Sequence, residues 1–158
     1  MHSRIYQITT APVEADEYIS DCDFCEHWFT RSFADFVDGG IDRSYELTCL
    51  RESLEDSGVA VFHDGDSFII LPDGKTAWFR NRYRSFIEAV KKAAAISLEA
   101  FMDSGLDTLI IEIKSSFCDE YGPYVSSEEF DTIPLDEFIR ECKSGERYYI
   151  GGILDYKF

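Results

Sequence analysis

Five cysteines and three histidines are the side chains with which this chain would ligate a metal or attack an electrophile. They are densest in Ser20-Asp-Cys-Asp-Phe-Cys-Glu-His-Trp28, where Cys22 and Cys25 have C-x-x-C spacing and His27 follows two residues on. Zinc needs three or four ligands converging at about 2.0–2.3 Å. On a helix Cys22 and Cys25 share a face, but Cys25 and His27 point nearly opposite ways. There is no second C-x-x-C, and Cys49, Cys118 and Cys142 stand alone. The acids Asp21, Asp23 and Glu26 would raise a neighbouring thiol's pKa and weaken its thiolate. The stretch therefore reads as the start of an acidic helix with Cys25 on its buried face, and neither metal nor other cofactor is expected.

The remaining motifs are weaker. His63, beside Asp64 at a hairpin shoulder, would serve a small enzyme if a distant cysteine such as Cys25 met it, yet no catalytic spacing accompanies it. Gly74-Lys-Thr76 ends like a phosphate-binding loop, but position 69 is Ile where that loop needs Gly. Asp64-Gly-Asp66 lacks the later glycine and glutamate of a calcium loop. Trp78-Phe-Arg-Asn-Arg-Tyr-Arg-Ser-Phe86 interleaves arginines with aromatics, a composition that stacks bases and holds phosphates. The net charge of −16 works against that use. Docking of this basic patch on a second copy, as a homodimer, is another use for it.

Charge is the strongest lead. Residues 1–66 carry 15 acids against 4 bases, residues 67–100 carry 3 against 6, and residues 101–158 carry 13 against 5. A magnitude of about 2–8 is enough for solubility in a small domain. The excess disfavours nucleic-acid backbones and anionic lipids and favours basic partners. Glu14, Asp16, Glu17, Asp21, Asp23, Glu26, Asp35, Asp38, Asp42 and Glu46 recur every few residues. DNA places one charge per about 1.7 Å of axis, and such a series of carboxylates can approximate that array. These ten residues form the expected partner-binding set.

The elements that must carry them follow from periodicity. Arg4–Thr10 alternates and reads as a strand. A helix is expected from about Ser20 to Phe36, with Ser20 and Asp23 as a capping box and Gly39-Gly40 as its stop. Asp42 caps a second helix through Leu47, Leu50 and Leu54, closed by Gly58. Val59–Phe79, with its two Asp-Gly dipeptides, reads as a three-stranded meander. A long helix is expected over about Asn81–Met102, its buried stripe being Tyr83, Phe86, Ile87, Val90, Ala94, Leu98 and Phe101 and its stop Ser104-Gly105. Another helix spans Leu106–Tyr121, and a short one runs through Leu135–Cys142 with Pro134 in its first turn. Arg147–Phe158 reads as a final strand bent or bulged at Gly151-Gly152.

At 158 residues, with 45% apolar and 15% aromatic composition, the chain is expected to form a single domain over residues 1–158 with one core. The fold class is α+β: a small antiparallel sheet, made of the N-terminal strand, the central meander and the C-terminal strand, covered by about five helices. The N-terminus lacks the apolar segment of a signal peptide, no apolar run is long enough to span a membrane, and the cysteines form no paired framework. The expectation is a cytoplasmic, non-enzymatic acidic protein that mimics nucleic acid and inhibits or regulates a basic nucleic-acid-binding protein. An enzyme near His63 and Cys25, or a nucleic-acid binder through Trp78–Phe86, are the alternatives.

Overall fold

The final strand, β7 (Arg147–Lys157), is the axis of the molecule. Its near-continuous apolar run buries residues on both faces of a sheet, including Ile150, Ile153, Leu154 and Tyr156. The computed structural model describes residues 2–103, 105–127 and 131–158. Along one edge β7 pairs antiparallel with β1 (His2–Thr9). Along its other edge it pairs with β4 (Ser67–Ile70) near its start and with β2 (Phe36–Asp38) near its end. β3 (Ala60–His63) pairs with β4, and β5 (Tyr124–Ser127) pairs with β1 and with β6 (Asp131–Pro134). Among the described residues the seven-stranded sheet runs in the order β3-β4-β7-β1-β5-β6, with β2 on β7, and β1–β5 is its one parallel pair.

Each face seals its own core. Tyr6, Val125 and Ile153 point to one side, under α2 (Arg43–Asp56), the start of α3 (Gly74–Ala94) and α6 (Leu135–Glu141). Their neighbours Ile5, Tyr124 and Leu154 point to the other, where Phe24, Phe29, Phe33 and Tyr156 gather. This alternation is the period of two expected of strands buried on both faces.

The expected α+β class holds, but the sheet is larger than expected, and six α-helices stand among the described residues where about five are expected. The meander has two strands. Asp64 and Gly65 take φ of 50° and 83° and turn β3 into β4, the conformation that suits Asp-Gly. Asp73-Gly74 instead opens α3. Gly74 lies in close contact with β3's neighbour: a Cβ there would stand 2.2 Å from the Val59 carbonyl oxygen. Its glycine thus serves close approach rather than a hairpin. The β5–β6 pair forms where no strand is expected, between the helices over Leu106–Tyr121 and Leu135–Cys142.

The expected helix over Ser20–Phe36 is broken. A 3-10 turn at Asp21–Phe24 leads to the short α1 (Trp28–Ser32), after which β2 joins the sheet. Hydrogen bonds to β7 outcompete helical continuation there. α2 begins and ends as expected: Asp42 Oδ1 accepts from the N–H groups of Ser44 and Tyr45, and Gly58 takes φ of 70°. The long helix starts earlier than expected and stops at Ala94, because Ser97 caps a separate α4 (Leu98–Met102), its Oγ accepting from Ala100 N–H. Ser104, part of the expected stop, lies outside the described residues. Tyr83, Val90, Ala94, Leu98 and Phe101, expected in the buried stripe, are exposed, and Phe86 and Ile87 are half-buried. α3 packs along α5 (Gly105–Phe117), and this pair forms an arm joined to the body at one end.

Asp136 makes that joint. Only 3% exposed, its carboxylate accepts from Trp78 Nε1 at 2.7 Å, Arg82 Nη1 at 2.7 Å and Asp119 N–H at 2.9 Å. A buried charge is tolerated when paired and hydrogen-bonded in this way. Arg140 completes the joint, its guanidinium lying 4.7 Å from the Phe79 ring and 4.3 Å from the Phe117 ring.

Candidate acidic interface

Between β1 and α2 the chain makes one long excursion over the face sealed by Phe24 and Phe29. Polar side chains pin it to the sheet. Gln7 sits opposite Gly151-Gly152, since Tyr6 pairs with Ile153 and Ile8 with Ile150. At this bulge Gln7 Oε1 accepts from Gly152 N–H at 2.7 Å and Ile19 N–H at 3.0 Å, while its Nε2 donates to Glu17 O. Arg43 donates to the carbonyls of Gly151 and Ile150 and covers the Tyr18 ring at 4.7 Å. A Cβ on Gly152 would lie 2.8 Å from the Ile19 backbone. The excursion is held at its first third by these contacts.

Its middle is held by His27 and Trp28. His27 Nδ1 accepts from Phe29 N–H at the start of α1, which leaves Nε2 to donate to Asp131 Oδ1 at 2.9 Å. Trp28 Nε1 donates to Asp131 Oδ2 at 3.1 Å. These bonds tie α1 to the β5–β6 hairpin. The ring of Phe29 fills the space beneath, edge-on to Tyr124 and Tyr156 at 4.8 Å and 5.1 Å.

With so few large rings sealing this face, the intervening positions are free to be charged. Glu14, Asp16, Glu17, Asp21, Asp23, Glu26, Asp35, Asp38 and Asp42 are all exposed. Arg31 is the one Lys or Arg within residues 11–42, and its contact with Glu26 is long, at 3.7 Å. Several of these carboxylates also shape the excursion. Asp23 accepts from Ser20 N–H, Asp38 from Gly40 N–H, and Glu17 from Glu14 N–H. Such bonds fix the carboxylates without cancelling their charge. Glu46 departs from the expected set. It is 7% exposed, turned inward on α2, and its carboxylate meets Arg4 Nη2 at 2.8 Å.

Cys25 is not in the core: both Cys22 and Cys25 are exposed and free. Phe24 takes the buried place. The Cys22 thiol is held above the ordinary range, first by the Asp21 carboxylate and next by the Cys25 thiol. Among the described residues no group of three or more His, Cys, Asp or Glu side chains converges to hold a metal ion. His63 pairs with Ser67 across the β3–β4 hairpin, where its carbonyl accepts from Ser67 Oγ. In the Trp78–Phe86 patch, Trp78 and Arg82 are engaged by Asp136, while Arg80, Tyr83 and Arg84 face outward.

A hollow of about 680 Å³ opens beside the excursion, at the ends of the parallel strands β1 and β5. Its wall joins Thr9, Thr10 and Ser126 with Glu17 and Asp23, and neither His63 nor Cys25 lines it.

Gln7, Arg43, Asp131 and Asp136 position these parts, and the sequence reading singled out none of them. The Gly151-Gly152 pair was the available signal, because two adjacent glycines in a strand mark a bulge that some side chain must fill. Comparison with models of known protein families, with curated proteins and with solved structures finds no match to this chain.

Proposed function

We propose that the excursion over residues 11–42 is the binding face of an acidic, non-enzymatic protein that occupies the cationic groove of a basic, nucleic-acid-binding partner and so inhibits or regulates it. One observation carries this reading: nine exposed carboxylates stand on a single covering segment that holds only Arg31 as a counter-charge. Carboxylates fixed by their own backbone hydrogen bonds meet lysine and arginine with little further loss of side-chain freedom. Their field steers a cationic partner during approach, and that attraction falls as salt screens it. Counterions released from both surfaces add to the affinity, as they do when nucleic acid itself binds the groove.

The test reverses charges that no cap depends on. Asp16→Lys, Glu26→Lys and Asp35→Lys together leave the caps at Ser20, Gly40 and Ser44 in place. Immobilised wild-type protein should capture a basic nucleic-acid-binding protein from native cells, release it with added duplex DNA, and lose it in the triple variant at unchanged circular dichroism. Capture that survives reversal, or that DNA does not displace, removes this segment from the interface. A low-salt gel shift addresses direct nucleic-acid binding through Arg80, Tyr83 and Arg84; a shift would favour that use over mimicry.

A further inference from the structure

The arm formed by α3, α4 and α5 has one apolar side and one polar side. Tyr83, Ile87, Val90 and Ala94 follow at i, i+4, i+7 and i+11 along α3 and form one row. Leu106, Ile110, Ile113 and Phe117 repeat the same spacing along α5. The opposite side carries Ser85, Glu88, Lys92, Glu112, Ser115 and Ser116 around a shallow hollow, with Lys92 and Glu112 paired at 3.4 Å. Both apolar rows therefore lie on the side away from that hollow. Of the thirteen exposed large hydrophobic side chains among the described residues, Tyr83, Val90, Ile110 and Phe117 stand in these two rows, and Leu98, Phe101 and Met102 of α4 and Ile111 of α5 lie elsewhere on the arm. Exposed apolar rows side by side on two packed helices mark an interaction site.

We propose that this face binds a second copy of the chain. Two arms close on each other about a two-fold axis running along the arm, α3 of each copy lying on α5 of the other, to complete a four-helix bundle. A face built from two antiparallel helices is matched by another of the same width, and an isologous pairing presents one.

Charge selects the arrangement. α3 carries six bases and one acid, whereas residues 98–117 carry four acids and one base. Arg82 and Lys92 are paired within the chain. Arg80, Arg84 and Lys91 remain exposed on α3, and Glu99, Asp103 and Asp107 remain exposed along α4 and the start of α5. The crosswise arrangement sets the basic helix of each copy beside the acidic helices of the other. The alternative two-fold, perpendicular to the arm, lays α3 on α3 and opposes like charges. The inference rests on the arm alone and is independent of the acidic interface.

Sedimentation equilibrium of the full chain over a concentration series tests it. The expected species has twice the 18.2 kDa chain mass. Val90→Glu with Ile110→Glu, at positions 38% and 42% exposed in the single chain, should weaken dimerisation at least about tenfold with unchanged helical circular dichroism. Should that pair unfold the arm, Tyr83→Glu alone gives the same readout at a more exposed site. Lys91→Glu should weaken the dimer, and adding Asp107→Lys should restore it. A monomer at every concentration overturns the proposal, including one that floats with phosphatidylserine vesicles or holds a different protein on this face. A dimer indifferent to the glutamates overturns it as well, and a dimer tightened by Lys91→Glu overturns the crosswise arrangement.

Discussion

The two faces of one sheet are sealed by different means. On one, regular helices bring aliphatic side chains at helical spacing: Leu50 and Leu54 from α2, Leu135 and Ile139 from α6. On the other, an irregular excursion hangs aromatic rings over the strands, with Phe29 in ring contact with Phe24, Trp28, Phe33, Tyr124 and Tyr156. An aromatic ring removes about 150–250 Å² from water. A few rings can therefore seal a face that would otherwise need a helix with a continuous apolar stripe. The positions between them carry charge at little cost to the core, which is how one segment both closes a hydrophobic face and displays nine carboxylates. The lesson is that surface charge density depends on how economically the core below is closed.

Raising the pH should produce the largest effect, because both faces bury neutral acids. Burial pushes the Cys142 thiol from 9.0 up to about 11 on the helical face. On the aromatic face it pushes the Tyr156 hydroxyl from 10.0 up to about 12. Both groups favour the folded state while neutral, so their contribution is full below pH 9 and is lost as pH rises through the raised values. Denaturant midpoints should therefore fall as the pH rises above 9, with Cys142 turning reactive to a thiol reagent over the same range. A midpoint that stays level to pH 11 would show that the folded state does not hold these groups neutral.

Substitution of the central rings sharpens the contrast. Phe29 and Phe138 are both fully buried, but Phe29 sits in the denser ring lattice. Phe29→Leu should destabilise more than Phe138→Leu, by about 1–3 kcal/mol in urea unfolding, since ring pairs contribute beyond area alone. Equal losses would remove the distinction between the seals.

Gly152→Ala tests how the excursion is held. Its methyl group would meet the Ile19 backbone, and the expected cost is about 1–3 kcal/mol. Amide exchange at Ile19 should accelerate while α6 keeps its protection. Uniform loss of protection would show that the excursion and the helical face unfold together.

His27→Ala is the mildest change. It removes the side chain that accepts from Phe29 N–H at the start of α1 and the bond to Asp131. About 1 kcal/mol should be lost, as for other caps, with the change confined to α1 and the β5–β6 hairpin in amide shifts.

Legibility tracked the range of the determining contacts. Where a neighbour in sequence supplies the deciding contact, the reading holds: the Asp42 cap, the Asp64-Gly65 turn and the Leu50–Leu54 face are all local. The acidity of residues 11–42 needed only composition. The reading of Ser20–Phe36 failed because Phe36–Asp38 finds its hydrogen bonds on β7, more than a hundred residues away. Asp73-Gly74 misled because its glycine answers to the Val59 carbonyl rather than to its own φ.

By itself, then, the sequence determined the α+β class, the position of most regular elements and a surplus of carboxylates concentrated before residue 66. Only the tertiary structure decided that nine of those carboxylates share one covering segment, that Glu46 belongs to Arg4, and that the α3–α5 arm leaves an apolar side open. The physical reason is common to all three. Charge and periodicity are properties of a residue and its near neighbours, while direction in space is set by partners such as Gln7, Asp131 and Asp136, which the chain brings into place only on folding.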